Sequence, residues 1–231
     1  MVFLNSFLFS YYPYIALAVF LIGSIYRYEH NQYSWKSSSS QIFRKDLLFW
    51  SSNLFHIGII ILFFGHVAGL LTPKFIYHIF ITPEHKQLLA MFVGGISGFL
   101  CFIGLNMLII RRLSDIRVRV NSTQSDILVL VIIYIQLSLG LASIFISAQH
   151  LDNASSMISL ANWVQGIFIF DSNIASYILN EHWIFKAHLV LGMTFFLIFP
   201  FTRLVHIFSF PYLYILRDGY QIVRRNVSKV N

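Results

Sequence analysis

Residues 47–73 read LLFWSSNLFHIGIIILFFGHVAGLLTP and contain no Asp, Glu, Lys or Arg. About 20 apolar residues wound as a helix cross the hydrocarbon of a bilayer. In lipid a helix is the natural choice, because it satisfies its own backbone donors and acceptors. The stretch therefore predicts a transmembrane helix. It also carries two histidines, His56 and His66, where an ionisable side chain is costly unless it has work to do.

Three more uncharged stretches of sufficient length follow the same reading, at 2–26, 87–110 and 127–151. A fifth runs over 183–210 and holds Lys186 and Arg203 near its ends, where long basic side chains reach the interface. Tyr11, Tyr12, Tyr26, Tyr28, Trp50 and Trp183 fall near span ends, as an aromatic belt requires. The segment 154–170 is short and carries Ser155, Ser156, Ser159, Asn162 and Gln165. Its Met157, Leu160, Val164 and Ile167 recur at helical spacing, which predicts an amphipathic surface helix and not a sixth span. The expected fold is an all-α integral membrane protein of five transmembrane helices, forming one domain over 1–231.

Composition agrees. The chain is 57% hydrophobic and 11% charged, where soluble domains carry about 25% charged residues. The formal charge of +7 does not point to nucleic acid, because the basic residues cluster at span ends as topology signals. Arg27, Lys36, Arg44 and Lys45 share one side with Arg111, Arg112, Arg117, Arg119, Arg203, Arg217, Arg224, Arg225 and Lys229. The other side has Lys74, Lys86 and Lys186. The positive-inside rule then predicts a periplasmic N-terminus and a cytoplasmic C-terminus. No cleavable signal peptide is expected, since the first apolar run lacks a basic leader and is long enough to span. Cys101 alone supports neither a disulfide framework nor a thiolate cluster, and no C-x-x-C-H motif is present.

Of nine histidines, His30, His78, His85, His150 and His182 lie in or beside the predicted loops and read as ordinary interfacial side chains. His56, His66, His188 and His206 fall inside spans. A single one is readily explained as a helix-to-helix hydrogen bond; four together ask for more. The second and fifth helices run in opposite directions, so the four sort into two facing pairs, His66 with His188 and His56 with His206. His188 and His206 are 18 residues apart, about five whole turns and 27 Å, so they are expected to share a face of the fifth helix. His56 and His66 are ten apart, about 15 Å. Facing imidazoles fit a haem iron with both axial positions filled, which passes electrons but has no open site for substrate. Without C-x-x-C-H the haems are expected to be non-covalent b-type groups. Gly58, Gly65, Gly69 and Gly192 lie near these histidines, and Gly94, Gly95, Gly98 and Gly104 line the third span. Each set admits two readings, room for a macrocycle or close helix packing.

Local sequence around these positions carries a resemblance. YPYIALAVFLIGS at 12–24, SNLFHIGI at 52–59, GH at 65–66 with GLLTP at 69–73, and MFVGGISGFLCFIG at 91–104 are its first half. RRL at 111–113, SAQHLD at 147–152, HLVLGMT at 188–194 and FPFTRLVHI at 199–207 are its second. Together they touch all five spans, and the chain resembles the gamma subunits of membrane-bound respiratory nitrate reductases, which are dihaem b-type cytochromes. The resemblance implies two haem b, an outer distal one on His66 and His188 and an inner proximal one on His56 and His206. It implies oxidation of a quinol, menaquinol or ubiquinol, near the outer haem with Lys86 and Gly65 at that site. Taken by itself, Lys86 reads as a lysine snorkelling at a span end. The resemblance further implies a bacterial inner membrane and the lipid-borne quinone pool. It implies cytoplasmic partners too: an iron–sulfur beta subunit and a molybdenum-bearing alpha subunit that reduces nitrate. Neither molybdenum nor an iron–sulfur centre is expected on this chain. The alternatives are a cytochrome b subunit of another quinone-linked enzyme, such as a hydrogenase or formate dehydrogenase, and a histidine-based membrane transporter.

Overall fold

The computed structural model describes residues 2–35, 43–149, 151 and 154–209. Lys36, the Ser37–Ser40 run, His150, Phe210 and the basic tail after Pro211 lie outside the described residues. Among the described residues the chain is helical and has no strand. Five helices are long and apolar enough to cross a membrane.

The first span begins as α1 (Val2–Ser6), widens through a π-helical turn at Phe7–Tyr11, and continues as α2 (Tyr12–Asn31). The second is α3 (Lys45–Leu71), followed by the short α4 (Lys74–Tyr77). The third, α5 (Pro83–Ser114), starts with Pro83 in its first turn, where a missing N–H costs nothing. Its last turn holds Arg111 and Arg112, whose charge suits the negative end of the helix dipole. After α6 (Ile116–Val120) comes the fourth span, α7 (Gln124–Ala148). A capping box opens α7: Thr123 Oγ1 accepts from the Asp126 N–H, and the Asp126 carboxylate accepts from the Thr123 N–H at 2.9 Å. The fifth span starts as α9 (Trp183–Ile198).

Neighbouring packing runs α3 on α5, α5 on α7, α7 on α9 and α9 on α2. This row curves, because α3 and α9 also meet through a histidine pair. Basic side chains gather where α2, α5 and α9 end and α3 and α7 begin. There Arg44 Nη1 donates to Ser114 Oγ at 3.0 Å, Arg111 Nη2 to the Phe43 carbonyl at 2.8 Å, and Arg112 and Arg203 both approach Asp126. We call this the basic end. At the opposite end α8 (Ser155–Phe168) buries Ala161, Trp163, Gly166 and Ile167. Trp163 Nε1 donates to the Phe9 carbonyl at 2.9 Å, and Gln165 Nε2 to the Leu70 carbonyl at 2.8 Å. The 154–170 segment is thus a helix but not a span, and its apolar face is buried on the protein.

Two glycines belong to packing. A Cβ on Gly58 would stand 2.6 Å from the Ser97 carbonyl oxygen and 2.7 Å from the Cys101 amide nitrogen. One on Gly104 would strike the Phe55 amide and lie 2.8 Å from the Ser51 carbonyl oxygen. The backbones of α3 and α5 therefore touch at two levels, and backbone cannot yield as a side-chain tip can. Gly104→Val is expected to push the helices apart and cost about 1–3 kcal/mol or more of stability, as overpacking does. Thermal unfolding in detergent measures it, and an unchanged midpoint would contradict the close approach.

The fifth span is not one helix over 183–210. α9 ends at Ile198, and Phe199–Phe201 and Arg203–Ser209 are 3₁₀ turns. Pro200 lacks an N–H and cannot continue the ladder, and Thr202 is extended. The freed carbonyls are taken by Arg27 of the first span, whose Nη1 donates to Pro200 O and Thr202 O, each at 2.6 Å. A 3₁₀ segment turns every three residues and rises about 2.0 Å per residue. The expectation that His188 and His206 share a face after five whole turns therefore fails.

Candidate functional site

His66 sits in the second half of α3, and His188 early in α9. Their rings face each other with centroids 6.3 Å apart and planes at 32°. His66 Nδ1 donates to the Leu62 carbonyl at 2.7 Å, one turn back on its own helix. His188 Nδ1 donates instead to α7, to the Gln136 carbonyl at 3.1 Å. His56 and His206 lie toward the basic end, and among the described residues no ring contact joins them. His56 Nδ1 donates to the Ser52 carbonyl at 2.7 Å, with Ser52 Oγ at 3.2 Å. His206 Nδ1 donates to the Arg203 carbonyl at 2.6 Å.

One pattern unites the four. Each Nδ1 faces a main-chain carbonyl, which only accepts, so each Nδ1 carries the proton. The neutral imidazole then keeps its lone pair on Nε2, the tautomer of a ring ready to bind metal through that atom. The donor set is of the right kind for haem: neutral nitrogen ligands, oriented by a second hydrogen bond. Among the described residues no group of three or more His, Cys, Asp and Glu is placed to hold a bare metal ion.

Space supports the same reading near His66. Cβ atoms added to Gly65 or Gly69 would meet nothing within 4 Å. These two glycines border open volume, unlike Gly58. Gly98 and Gly192 face side chains instead: their Cβ atoms would lie 2.8 Å from Leu141 Cδ2 and 3.2 Å from Gln136 Nε2. Only 6% of the most apolar stretch of α3 is buried, against 28% in α5. The helix carrying His56 and His66 thus leaves most of its surface for lipid or a bound group.

Lys86 is 9% exposed, although it stands in the first turn of a span. Its Nζ lies over the Tyr77 ring, 3.7 Å from the centroid. Such a cation–π contact is worth about 0.5–2 kcal/mol, more as water is removed. Burial, and secondarily the charge of Glu84, pushes the Tyr77 phenol above its ordinary range and keeps it protonated. Lys86 is therefore a covered ammonium and not a side chain stretched into water.

Four contributors escaped the sequence reading. Gln136 is a polar residue in a span of apolar ones, and that contrast was its available signal. Tyr77 lies between two spans and has no local signal of its own. Arg27 counted only as a topology charge, and Asp126 stands just before the fourth span with nothing local to mark it. Which partner each meets depends on neighbouring helices.

Comparison with known proteins follows the same lines. The family model for the nitrate reductase gamma subunit matches residues 5–226. The chain is 50% identical to the respiratory nitrate reductase 1 gamma chain of Escherichia coli (strain K12), covering 97% of this chain and 99% of that one. It is 48% identical to the respiratory nitrate reductase 2 gamma chain of the same organism, covering 96% and 97%. With the nitrate reductase gamma chain of Bacillus subtilis (strain 168) it shares 36% identity, covering 92% and 95%.

Proposed function

Because the chain belongs to the nitrate reductase gamma subunit family, we propose that it is the quinol-oxidising dihaem cytochrome b subunit of a respiratory nitrate reductase. The observation that carries this is the set of four imidazoles, three on the second and fifth spans and His206 on the turns that follow the fifth, each with Nδ1 committed to a carbonyl and the lone pair on Nε2. The spacing of one pair adds support. Two imidazoles bound end-on to one metal at about 2.0 Å have centroids about 6 Å apart, and His66 and His188 stand at 6.3 Å.

In this reading His66 and His188 hold the distal haem, and His56 and His206 the proximal one. Bound there, haem supplies one-electron carriers with no vacant coordination position. The protein holds each imidazole as a neutral ligand, leaves room beside Gly65, and keeps the site in an apolar bundle. The basic end is cytoplasmic by the positive-inside rule, so the Lys86 end faces the periplasm of the inner membrane. Quinol, menaquinol or ubiquinol, enters there from the lipid beside Lys86 and Gly65, and its two protons leave outward. Its electrons pass inward to an iron–sulfur beta subunit and onward to a molybdenum alpha subunit. The test is a reduced-minus-oxidised spectrum with haem extraction. Two haem b per chain, removable by acidic acetone, are expected, and a single haem or none would overturn the reading.

Lys86 has a stated task here: its ammonium donates to a quinol oxygen. A hydrogen bond to a charged group is worth about 1.5–3 kcal/mol, a factor of about ten or more in rate if realised in the reaction. Lys86→Ala is expected to slow quinol-dependent haem reduction by that factor while both haem spectra stay intact. Lys86→Arg should rescue incompletely, since a planar fork presents its donors differently. Stopped-flow absorbance decides, and a wild-type rate in an assembled Lys86→Ala complex would remove the residue from the site.

A further inference from the structure

α7 carries no candidate haem ligand, yet it touches His188 at three points. The Gln136 carbonyl accepts from His188 Nδ1 at 3.1 Å. The Gln136 side-chain nitrogen lies 3.4 Å from His188 Nε2. One turn on, a Cβ on Gly140 would stand 3.1 Å from His188 Cε1, so the missing side chain forms the seat of the ring. The roles follow by elimination. A carbonyl only accepts, so Nδ1 donates. Nε2 therefore has the lone pair, and the amide N–H of Gln136 donates to it; a protonated Nε2 would set donor against donor. The amide oxygen, Gln136 Oε1, is buried with no hydrogen-bond partner among the described residues. A half-satisfied amide in a membrane interior costs stability, and here it is spent against the one nitrogen a metal needs.

We propose that Gln136 is the positioning residue of His188, and that its side-chain amide is the polar neighbour that tunes the haem held by His188. This rests on the dihaem reading above and deepens it. The main chain of Gln136 sets the tautomer and the ring plane. When Nε2 gives its lone pair to iron, the amide loses its acceptor and remains as a dipole beside the site. In a bundle of low dielectric a charge introduced there acts strongly.

Gln136→Glu keeps the shape and, titrated at alkaline pH where a carboxyl raised by burial ionises, adds negative charge near the distal site, which favours the ferric form. In the full complex, redox titration is expected to show the distal haem harder to reduce by at least a factor of ten, about 59 mV for a one-electron couple, with the proximal haem unmoved. Gly140→Ala, which presses on Cε1, is expected to alter the electron-paramagnetic-resonance signal of the distal ferric haem alone. Selective loss of the distal haem from either variant would support the same assignment. Equal movement of both haems, or an unchanged distal haem in both variants, overturns it. If Gln136→Glu does not assemble, Gly140→Ala decides by the same readout. The dihaem reading fails separately, and only if the wild-type complex lacks two haems.

Discussion

His188→Leu is expected to abolish quinol-driven electron delivery, with loss of the distal haem and retention of the proximal one. In the proposed site His188 is a distal ligand; α7 holds its ring by the Gln136 carbonyl, and it faces His66 across 6.3 Å. Leucine fills similar volume but offers no lone pair, and a six-coordinate low-spin haem cannot form with one imidazole. Without the distal carrier, quinol has no adjacent acceptor. His206→Leu should behave differently. The distal haem should still be reduced by quinol, but nitrate should fail to reoxidise it, because the proximal carrier is missing. The paired measurement is haem reduction by a quinol analogue followed by reoxidation with nitrate. If His188→Leu and His206→Leu gave the same phenotype, with both haems lost or both kept, the assignment of two separate pairs would be wrong.

The second large effect is expected at the basic end, from Asp126→Ala. The Asp126 side chain is 3% exposed and lies against the Arg203 guanidinium, with Arg112 Nη1 at 3.8 Å. The same carboxylate accepts from the Thr123 N–H at 2.9 Å and closes the capping box of α7. Removing one partner of a buried ion pair costs up to about 3–5 kcal/mol, and less where, as here, the arginines are partly exposed. Loss of the cap adds about 1 kcal/mol. The consequence for the site runs through Arg203, whose main-chain carbonyl accepts from His206 Nδ1 at 2.6 Å. When the guanidinium loses Asp126, that carbonyl is held less firmly. Haem analysis should then find the proximal haem depleted before the distal one, and the detergent-solubilised protein should unfold at lower temperature. Asp126→Asn keeps an oxygen for the cap and should fall between. Full haem content with a wild-type unfolding temperature in Asp126→Ala would deny the latch its role.

Particular residues show how far the sequence could be read. The four histidines were visible because each stands in a run too apolar to tolerate it without cause. Gly58 and Gly65 lie on one helix and carried the same two readings; only their neighbours separate them. Gly58 faces the backbone of α5, whereas Gly65 faces open volume. Pro200 was in plain view within FPFTRLVH, yet proline is tolerated in membrane helices whose freed carbonyls find another partner. Whether it bends a helix or ends one depends also on what receives the carbonyls of a chain that leaves the helix. Arg27, 173 residues earlier in the chain, donates to the Pro200 carbonyl beyond the break. Lys86 followed the same logic: a lysine at a span end reads as a snorkelling anchor until Tyr77 is found beneath it.

The sequence by itself determined the number of candidate spans, their chain order and which four histidines are the candidate ligands. These are local properties, because lipid forces each apolar segment to satisfy its own backbone within itself. Tertiary structure alone decided how closely the rings of His66 and His188 approach, that α7 rather than α9 orients His188, and that the fifth span breaks after Ile198. The physical reason is that a polar group in an apolar bundle pairs with whichever donor or acceptor the packing brings within about 3 Å. That partner sits on another helix, at a height and rotation that hydropathy does not encode.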